Sequence, residues 1–122
     1  MKQKFFSASV WLKRFGYAFK GLKYAFRNEQ SLWVHFVATI LVITLSIVKN
    51  INSTEAIVLS LTVGIVWVAE LLNTAIEKLA DKVSPDFDIQ IKCVKDISAA
   101  AVLMASLTAL VIGLIIFIPK FL

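Results

Sequence analysis

The chain contains one cysteine, Cys93, and one histidine, His35. A single cysteine excludes an internal disulfide framework and a multi-cysteine metal site, and a single histidine excludes a histidine-rich zinc site. Charged residues are also scarce, at 17% of the 122 residues, whereas 59% are hydrophobic. This balance excludes an ordinary soluble domain and indicates a small integral membrane protein.

Two common sequence signals are absent as well. Residues 1–27 contain neither a continuous apolar core nor a small-residue cleavage site, so no signal peptide is predicted. No Walker-type phosphate-binding loop and no kinase glycine-rich loop is found, which excludes the familiar soluble nucleotide-binding scaffolds. The net charge of +5 comes from basic residues that flank apolar spans. That placement is typical of contact with anionic lipid headgroups rather than with nucleic acid.

Hydropathy predicts one surface helix and three membrane helices. Residues 10–27 repeat aromatic and apolar side chains every three or four positions, as in an amphipathic helix that lies in the headgroup plane. Apolar spans follow at 32–48, 54–83 and 97–118. A break at 84–86 leads into a loop or second interfacial segment up to residue 94, and Pro119 and Lys120 are predicted to end the third span. The predicted fold is a single all-α membrane domain over residues 1–122.

Basic residues and small residues predict topology and assembly. Seven of the thirteen Lys and Arg residues precede residue 28, and four lie between residues 78 and 95. By the positive-inside rule, both segments are predicted to be cytoplasmic. Ala101, Ala105, Ala109 and Gly113 repeat every four residues along the third span, which favours close helix approach. Because three short helices cannot easily enclose a polar site, an oligomeric helical bundle is expected.

The residues most informative about function lie on one side of the second span. At 100° per residue, Asn73, Glu77 and Asp81 lie at about −60°, −20° and +20° from Glu70. An acidic residue at mid-bilayer costs about 2.5–3.5 kcal/mol, so an intramembrane carboxylate is a candidate functional group. Several carboxylates on one face of a helix indicate a binding site for a metal or another cation, or a path for protons.

Further groups near the predicted cytoplasmic interface can bind cations or phosphates. Glu29 and Glu77 carry carboxylates of the kind that hold Mg²⁺ together with phosphate oxygens. Lys95 can bind a phosphate as a point charge, and Asp96 can cap the third span or orient Lys95. Additional phosphate-binding donors on the surface helix are Lys13, Arg14 and Tyr17.

Three classes of function fit these residues. Phosphoryl transfer needs in-line positioning, cations on the phosphate oxygens and a group that deprotonates the nucleophile, all of which the stripe and a nearby lysine can supply. A proton-coupled carrier would use Glu70 and Glu77 as relay groups, but it would place carboxylates deep within the spans. A structural or adaptor protein would need neither. His35 is interpreted as an interfacial polar residue rather than a ligand.

Four motifs together resemble those of the small prokaryotic diacylglycerol kinases, a family that includes the undecaprenol kinases. They are GYAFKGL at 16–22, NEQ at 28–30, ELLNTAIEKLAD at 70–81 and KDISAAAVL at 95–103. The resemblance covers nearly the whole chain. It implies a homotrimer in the bacterial inner membrane, with the N-terminus and the active site on the cytoplasmic side. The implied reaction transfers the γ-phosphate of Mg-ATP to a lipid hydroxyl.

The same resemblance implies roles for individual residues. Glu70 would be the general base beside the lipid hydroxyl, and Asn73 would support that region. Glu29 and Glu77 would hold Mg²⁺ against the phosphates. Val10 stands where some members carry an arginine, which Lys13 or Arg14 would replace. The nucleotide would be contacted from Lys13, Tyr17, Asp86, Asp88, Lys95 and Asp96.

The acceptor lipid has two candidates within this family. Conversion of diacylglycerol to phosphatidic acid is the expected reaction, and undecaprenol is the alternative acceptor. His35 stands where the enterobacterial diacylglycerol kinases have an acidic residue, so that residues 28–35 are more similar to the undecaprenol kinases.

Overall fold

The computed structural model describes residues 7–122 as four α-helices joined by short connections. No strand occurs among these residues, and the last three helices are each long and apolar enough to cross a membrane. The prediction of an all-α membrane fold with three spans is therefore confirmed. The helices are α1 (Ala8–Asn28), α2 (Gln30–Val48), α3 (Ser53–Val83) and α4 (Ile89–Phe121).

Polar residues set the helix ends. Glu29 has an extended backbone, with φ −118° and ψ 113°, and so separates α1 from α2. Asn50 has φ 50° in the turn after α2, a left-handed conformation that asparagine tolerates better than most residues. A capping box then begins α3: Asn52 Oδ1 accepts from the Glu55 N–H at 2.8 Å, and Glu55 Oε1 accepts from the Asn52 N–H at 3.1 Å.

The helix that carries the third span is longer than predicted at both ends. It begins at Ile89, so the loop expected up to residue 94 is wrong beyond the coil at 84–88. Asp88 is the physical reason, since its Oδ1 accepts from the N–H groups of Gln90 and Ile91 at 2.8 and 3.1 Å and so starts the helix. Pro119 lies within the last turn of α4 instead of ending it.

The bundle is held mainly by the contact between α3 and α4, while α2 packs on α3 and α1 packs on the start of α2. A cluster of four aromatic rings, with centroids 5.2–6.1 Å apart, joins α1, α2 and α3. Its members are Phe26, Trp33, Phe36 and Trp67. At the other end of the bundle, Lys120 Nζ lies 3.0 Å from Glu55 Oε1.

Most large apolar side chains of the chain are exposed. Leu32 is the one large side chain of the described residues that is completely buried, and α1 buries Ala25 alone. A water-soluble monomer rarely exposes such an extensive apolar surface. Hydrocarbon chains of lipids or neighbouring membrane helices therefore suit this surface.

Candidate active site between helices α2, α3 and α4

Helix α3 directs three polar side chains into the bundle. Glu70, Asn73 and Thr74 retain 4%, 9% and 5% of their accessible surface. Residues spaced by three and four lie on one face of a helix, and here that face meets α2 and α4. Glu77, about one turn further along the helix, is half-buried. Asp81, one turn beyond Glu77, is exposed. The predicted polar stripe therefore runs from the buried part of the bundle to its surface.

Helix α2 supplies both contacts of the Glu70 carboxylate. The Ser31 hydroxyl donates a hydrogen bond to Oε1, and His35 Nε2 lies 3.3 Å from Oε2. Ser31 and His35 are four residues apart, so both side chains lie on the same face of α2. Glu70 is thus a buried carboxylate with one partner on each oxygen.

Helix α4 supplies a partner for Asn73. The Ser98 hydroxyl donates to Asn73 Oδ1 at 2.7 Å, while Asn73 Nδ2 donates to Glu77 Oε1 at 3.3 Å. The amide therefore connects α4 to the Glu77 carboxylate and leaves Glu77 oxygens available for a further ligand. Thr74 follows Asn73 in the sequence, and its hydroxyl is buried. No residue of the described chain forms a hydrogen bond with this hydroxyl.

The predicted nucleotide-binding residues of α4 have partners that differ from those expected. Lys95 forms an ion pair with Asp81 of α3, and Asp96 Oδ2 pairs with Lys92 Nζ at 2.7 Å within α4. The prediction that Asp96 caps the helix is wrong, because α4 begins seven residues earlier at Ile89, where Asp88 provides the cap. Asp88 itself is exposed, as is Asp86 in the preceding coil.

Helix α1 contributes the most distant part of the predicted site. Lys13 and Tyr17 are exposed, and no hydrogen bond or ion pair joins them to α3 or α4 within residues 7–122. The helix reaches α3 nearer its own C-terminal end, where Tyr24 bonds to Lys78 and the Phe26 ring lies 5.7 Å from that of Trp67. Within one copy, Lys13 and Tyr17 thus make no direct contact of this kind with the two helices that carry Glu70 and Lys95.

An apolar cavity of about 500 Å³ lies between α2, α3 and α4 and has His35 on its wall. The side chains around it are otherwise almost wholly apolar, including Val66, Trp67, Leu110 and Phe117. Thr39 and Ser106 are the other polar residues of the lining. A mostly apolar cavity with few polar groups is typical of a site that binds a mostly apolar molecule and orients its polar end.

Comparison with known proteins identifies the family. The family model described as "Prokaryotic diacylglycerol kinase" matches residues 16–117. The chain belongs to the prokaryotic diacylglycerol kinase family. This confirms the prediction of a membrane lipid kinase over the carrier and adaptor alternatives.

Individual relatives within the diacylglycerol kinase family carry two different names. A Synechocystis protein named diacylglycerol kinase is 34% identical over 91% of this chain, which spans 64% of that protein's length. A Bacillus subtilis protein named undecaprenol kinase is 31% identical over 90% of this chain and 89% of its own length. The Escherichia coli K12 diacylglycerol kinase is 30% identical over 82% of both chains. The relatives thus agree on a lipid kinase and differ in the acceptor.

The carboxylates of this diacylglycerol kinase family member differ in whether they are free to bind a cation. Glu29 and Glu77 are half-buried and form no ion pair within residues 7–122, whereas Glu55, Asp81 and Asp96 are paired with lysines. Oxygen donors of this kind fit Mg²⁺. No group of three or more His, Cys, Asp or Glu side chains is assembled in the described part of the chain.

Sequence reasoning missed three hydroxyl groups of the site. Ser31 and Ser98 hold Glu70 and Asn73, and Thr74 is buried beside them on α3. Serine and threonine are common in membrane helices and usually bond to their own backbone, as Thr39 and Ser46 do here. The spacing of Ser31 and His35 by four residues was the one signal that could have indicated a common polar face on α2.

Proposed function

We propose that the chain transfers the γ-phosphate of Mg-ATP to the hydroxyl of diacylglycerol, which produces phosphatidic acid. The observation that carries this proposal is the Glu70 carboxylate, buried on α3 next to α2. In the proposed reaction Glu70 takes the proton of the lipid hydroxyl. The lipid oxygen bonds to the γ-phosphorus as the bond to the β,γ-bridging oxygen breaks, and ADP leaves.

Roles for the other residues follow from their positions. Glu29 and Glu77 would hold Mg²⁺, which when bound neutralises charge on the phosphate oxygens. Asn73 is proposed to keep Glu77 in place through its 3.3 Å hydrogen bond. Lys95 would contact the phosphates, with Asp81 orienting its ammonium group. Asp86, Asp88 and Asp96 are proposed to lie near the nucleotide because they are exposed at the same end of α3 and α4.

A homotrimer in the bacterial inner membrane is proposed as the active form. Lys13 and Tyr17 are exposed within one copy, and a neighbouring copy would bring its own surface helix to the site. The small residues Ala101, Ala105, Ala109 and Gly113, which repeat every four residues along α4, support close helix approach. The Lys and Arg distribution supports a cytoplasmic site and N-terminus, with α1 as an amphipathic helix at the surface.

Undecaprenol is the second candidate acceptor. The Bacillus subtilis relative named undecaprenol kinase matches this chain over 89% of its own length. The apolar cavity with His35 on its wall suits a polyprenyl chain as well as an acyl chain, because both are hydrocarbon. Undecaprenol and diacylglycerol each carry a single hydroxyl at the polar end of the lipid.

The test is transfer of labelled phosphate from [γ-³²P]ATP in mixed micelles, with diacylglycerol and undecaprenol offered separately. Label in diacylglycerol alone would support the proposal, and label in undecaprenol alone would establish the second candidate. Glu70→Gln should abolish transfer to either lipid while leaving the oligomer intact, because only the base is lost.

Glu55→Gln is the matched control for that variant. Glu55 lies on the same helix, 15 residues earlier and therefore about 22 Å away, and glutamine can keep the capping box. Near-normal turnover in Glu70→Gln would contradict the proposed base. Equal losses in Glu70→Gln and Glu55→Gln would attribute the effect to general damage to α3.

A further inference from the structure

His35 is the ionisable side chain that contacts the proposed base. Its Nε2 lies 3.3 Å from Glu70 Oε2, and the two side chains retain 17% and 5% of their accessible surface. A contact between two largely buried groups is screened little by solvent, so it affects Glu70 more than a surface pair would.

The two contacts from α2 hold the Glu70 carboxylate and leave lone pairs on both of its oxygens. Each oxygen of an ionised carboxylate has two lone pairs, and Ser31 and His35 each take one, on different oxygens. One lone pair on each oxygen therefore remains for the proton of the acceptor hydroxyl. Rotation of the carboxylate about its last bond is restricted because both oxygens are bonded to the same helix.

The imidazole also faces the apolar cavity between α2, α3 and α4. It thus contacts both the cavity and the carboxylate. No other ionisable residue lies on α2, and none borders the cavity from α3 or α4. Within residues 7–122, α1 places no ionisable side chain against His35 either. Glu70 is therefore the one ionisable side chain that His35 contacts among residues 7–122.

We propose that His35 is a positioning residue for Glu70 and makes the rate of phosphate transfer depend on pH. This inference rests on the proposed function of Glu70 as the base. A neutral imidazole donates its Nε2 proton to Oε2 and aims the carboxylate. An imidazolium forms an ion pair with the carboxylate instead, and so competes for the electrons that must accept the hydroxyl proton.

The direction of the pH effect follows from this. Histidine is the side chain that ordinarily changes charge between about pH 5 and 8. The rate should be higher where the imidazole is neutral than where it is charged, and should therefore fall as the pH is lowered. A glutamine at this position can donate a similar hydrogen bond but cannot become charged.

The experiment compares His35→Gln and His35→Leu with the unchanged protein in mixed micelles, measuring kcat and KM for Mg-ATP from pH 5.5 to 8.5. His35→Leu should lower kcat by about 10- to 100-fold, because small misplacement of a base is costly, with KM for Mg-ATP unchanged. His35→Gln should restore most of kcat at alkaline pH and lose the decline at acid pH. Thr44→Val, an exposed hydroxyl change on the same helix, should match the unchanged protein.

The outcomes separate this inference from the proposed function. Loss of activity in Glu70→Gln, together with a His35→Gln profile that keeps the acid decline, would overturn the role of His35 and leave the base intact. Normal turnover in Glu70→Gln would overturn the proposed base itself. Should His35→Leu fail to form the oligomer in detergent, the His35→Gln pH profile decides alone. The titration of the ATP phosphates is common to all variants and cancels in the comparison.

Discussion

Lys95 of α4 forms an ion pair with Asp81 of α3, fourteen residues earlier in the chain. Both side chains are accessible at the end of the helix contact, at 37% and 65% of their side-chain surface. Exposed pairs contribute about 0–1 kcal/mol to stability. The pair therefore matters more for where it holds the lysine ammonium group than for holding the helices together.

Asp81→Asn should raise KM for Mg-ATP several-fold and leave the unfolding midpoint nearly unchanged, because the ammonium group loses its orienting partner. Lys95→Met should raise KM further or remove activity, because the positive charge itself is lost. Steady-state kinetics with varied Mg-ATP measure both effects. Lys82→Met, an exposed lysine change on α3, is the matched control. Equal KM values for all three variants would exclude Lys95 from nucleotide binding.

Glu77→Gln should raise the Mg²⁺ concentration needed for half-maximal activity, or remove activity at any concentration. The reason is that an amide oxygen binds Mg²⁺ more weakly than a carboxylate and carries no charge. Titration of Mg²⁺ at fixed ATP, after treatment with a chelator, measures the change. Glu55→Gln should retain the original Mg²⁺ dependence, since Glu55 is paired with Lys120 at the opposite end of α3. An unaltered titration curve for Glu77→Gln would rule out a ligand role.

Ser98→Ala should reduce stability by about 1–3 kcal/mol, because the buried Asn73 oxygen would lose its 2.7 Å hydrogen bond. The loss is measured as an earlier midpoint of unfolding in mixed micelles with increasing SDS. Thr108→Ala is the control, because its hydroxyl bonds only to the preceding turn of α4. A midpoint for Ser98→Ala as high as that of the control would mean that Asn73 finds another donor.

Thr74→Val should stabilise the protein by about 1 kcal/mol or leave it unchanged, because valine has nearly the same shape and removes an unpaired buried hydroxyl. The same SDS titration gives this value, and the kinase assay is run beside it. A marked loss of stability in Thr74→Val would show that the hydroxyl has a partner in the assembled protein, such as a group from a neighbouring copy.

The helix bounds agree closely with hydropathy for α1, α2 and α3 and differ from it for α4. The predicted segments 10–27, 32–48 and 54–83 lie within two residues of α1, α2 and α3. The predicted segment 97–118 lacks the first two turns of α4, because those turns carry Lys92, Lys95 and Asp96 and hydropathy excludes them. A helix can project beyond the hydrocarbon core, so the apolar stretch gives its membrane-spanning part and the cap at Asp88 gives its beginning.

For the site, periodicity predicted the residues of a single helix but not their partners. Glu70, Asn73 and Glu77 share a face because a helix turns by 100° per residue, whatever surrounds it. That Glu70 meets Ser31 and His35 depends on how α2 docks, which no local pattern encodes. Their contacts with Mg²⁺, ATP and lipid stay predictions.

The unbroken length of α3 has a consequence for the membrane around it. Its 31 residues span about 46 Å, whereas a hydrocarbon core is about 30 Å thick. Glu70 lies about 26 Å along the helix from Ser53. A hydrocarbon core that begins at Ser53 would therefore end just beyond Glu70. Because the helix is unbroken, the distance from its capped end to Glu70 is fixed. Longer acyl chains would bury the Glu70 carboxylate and shorter ones would expose it to water, so that the composition of the host bilayer would set the depth of the proposed base.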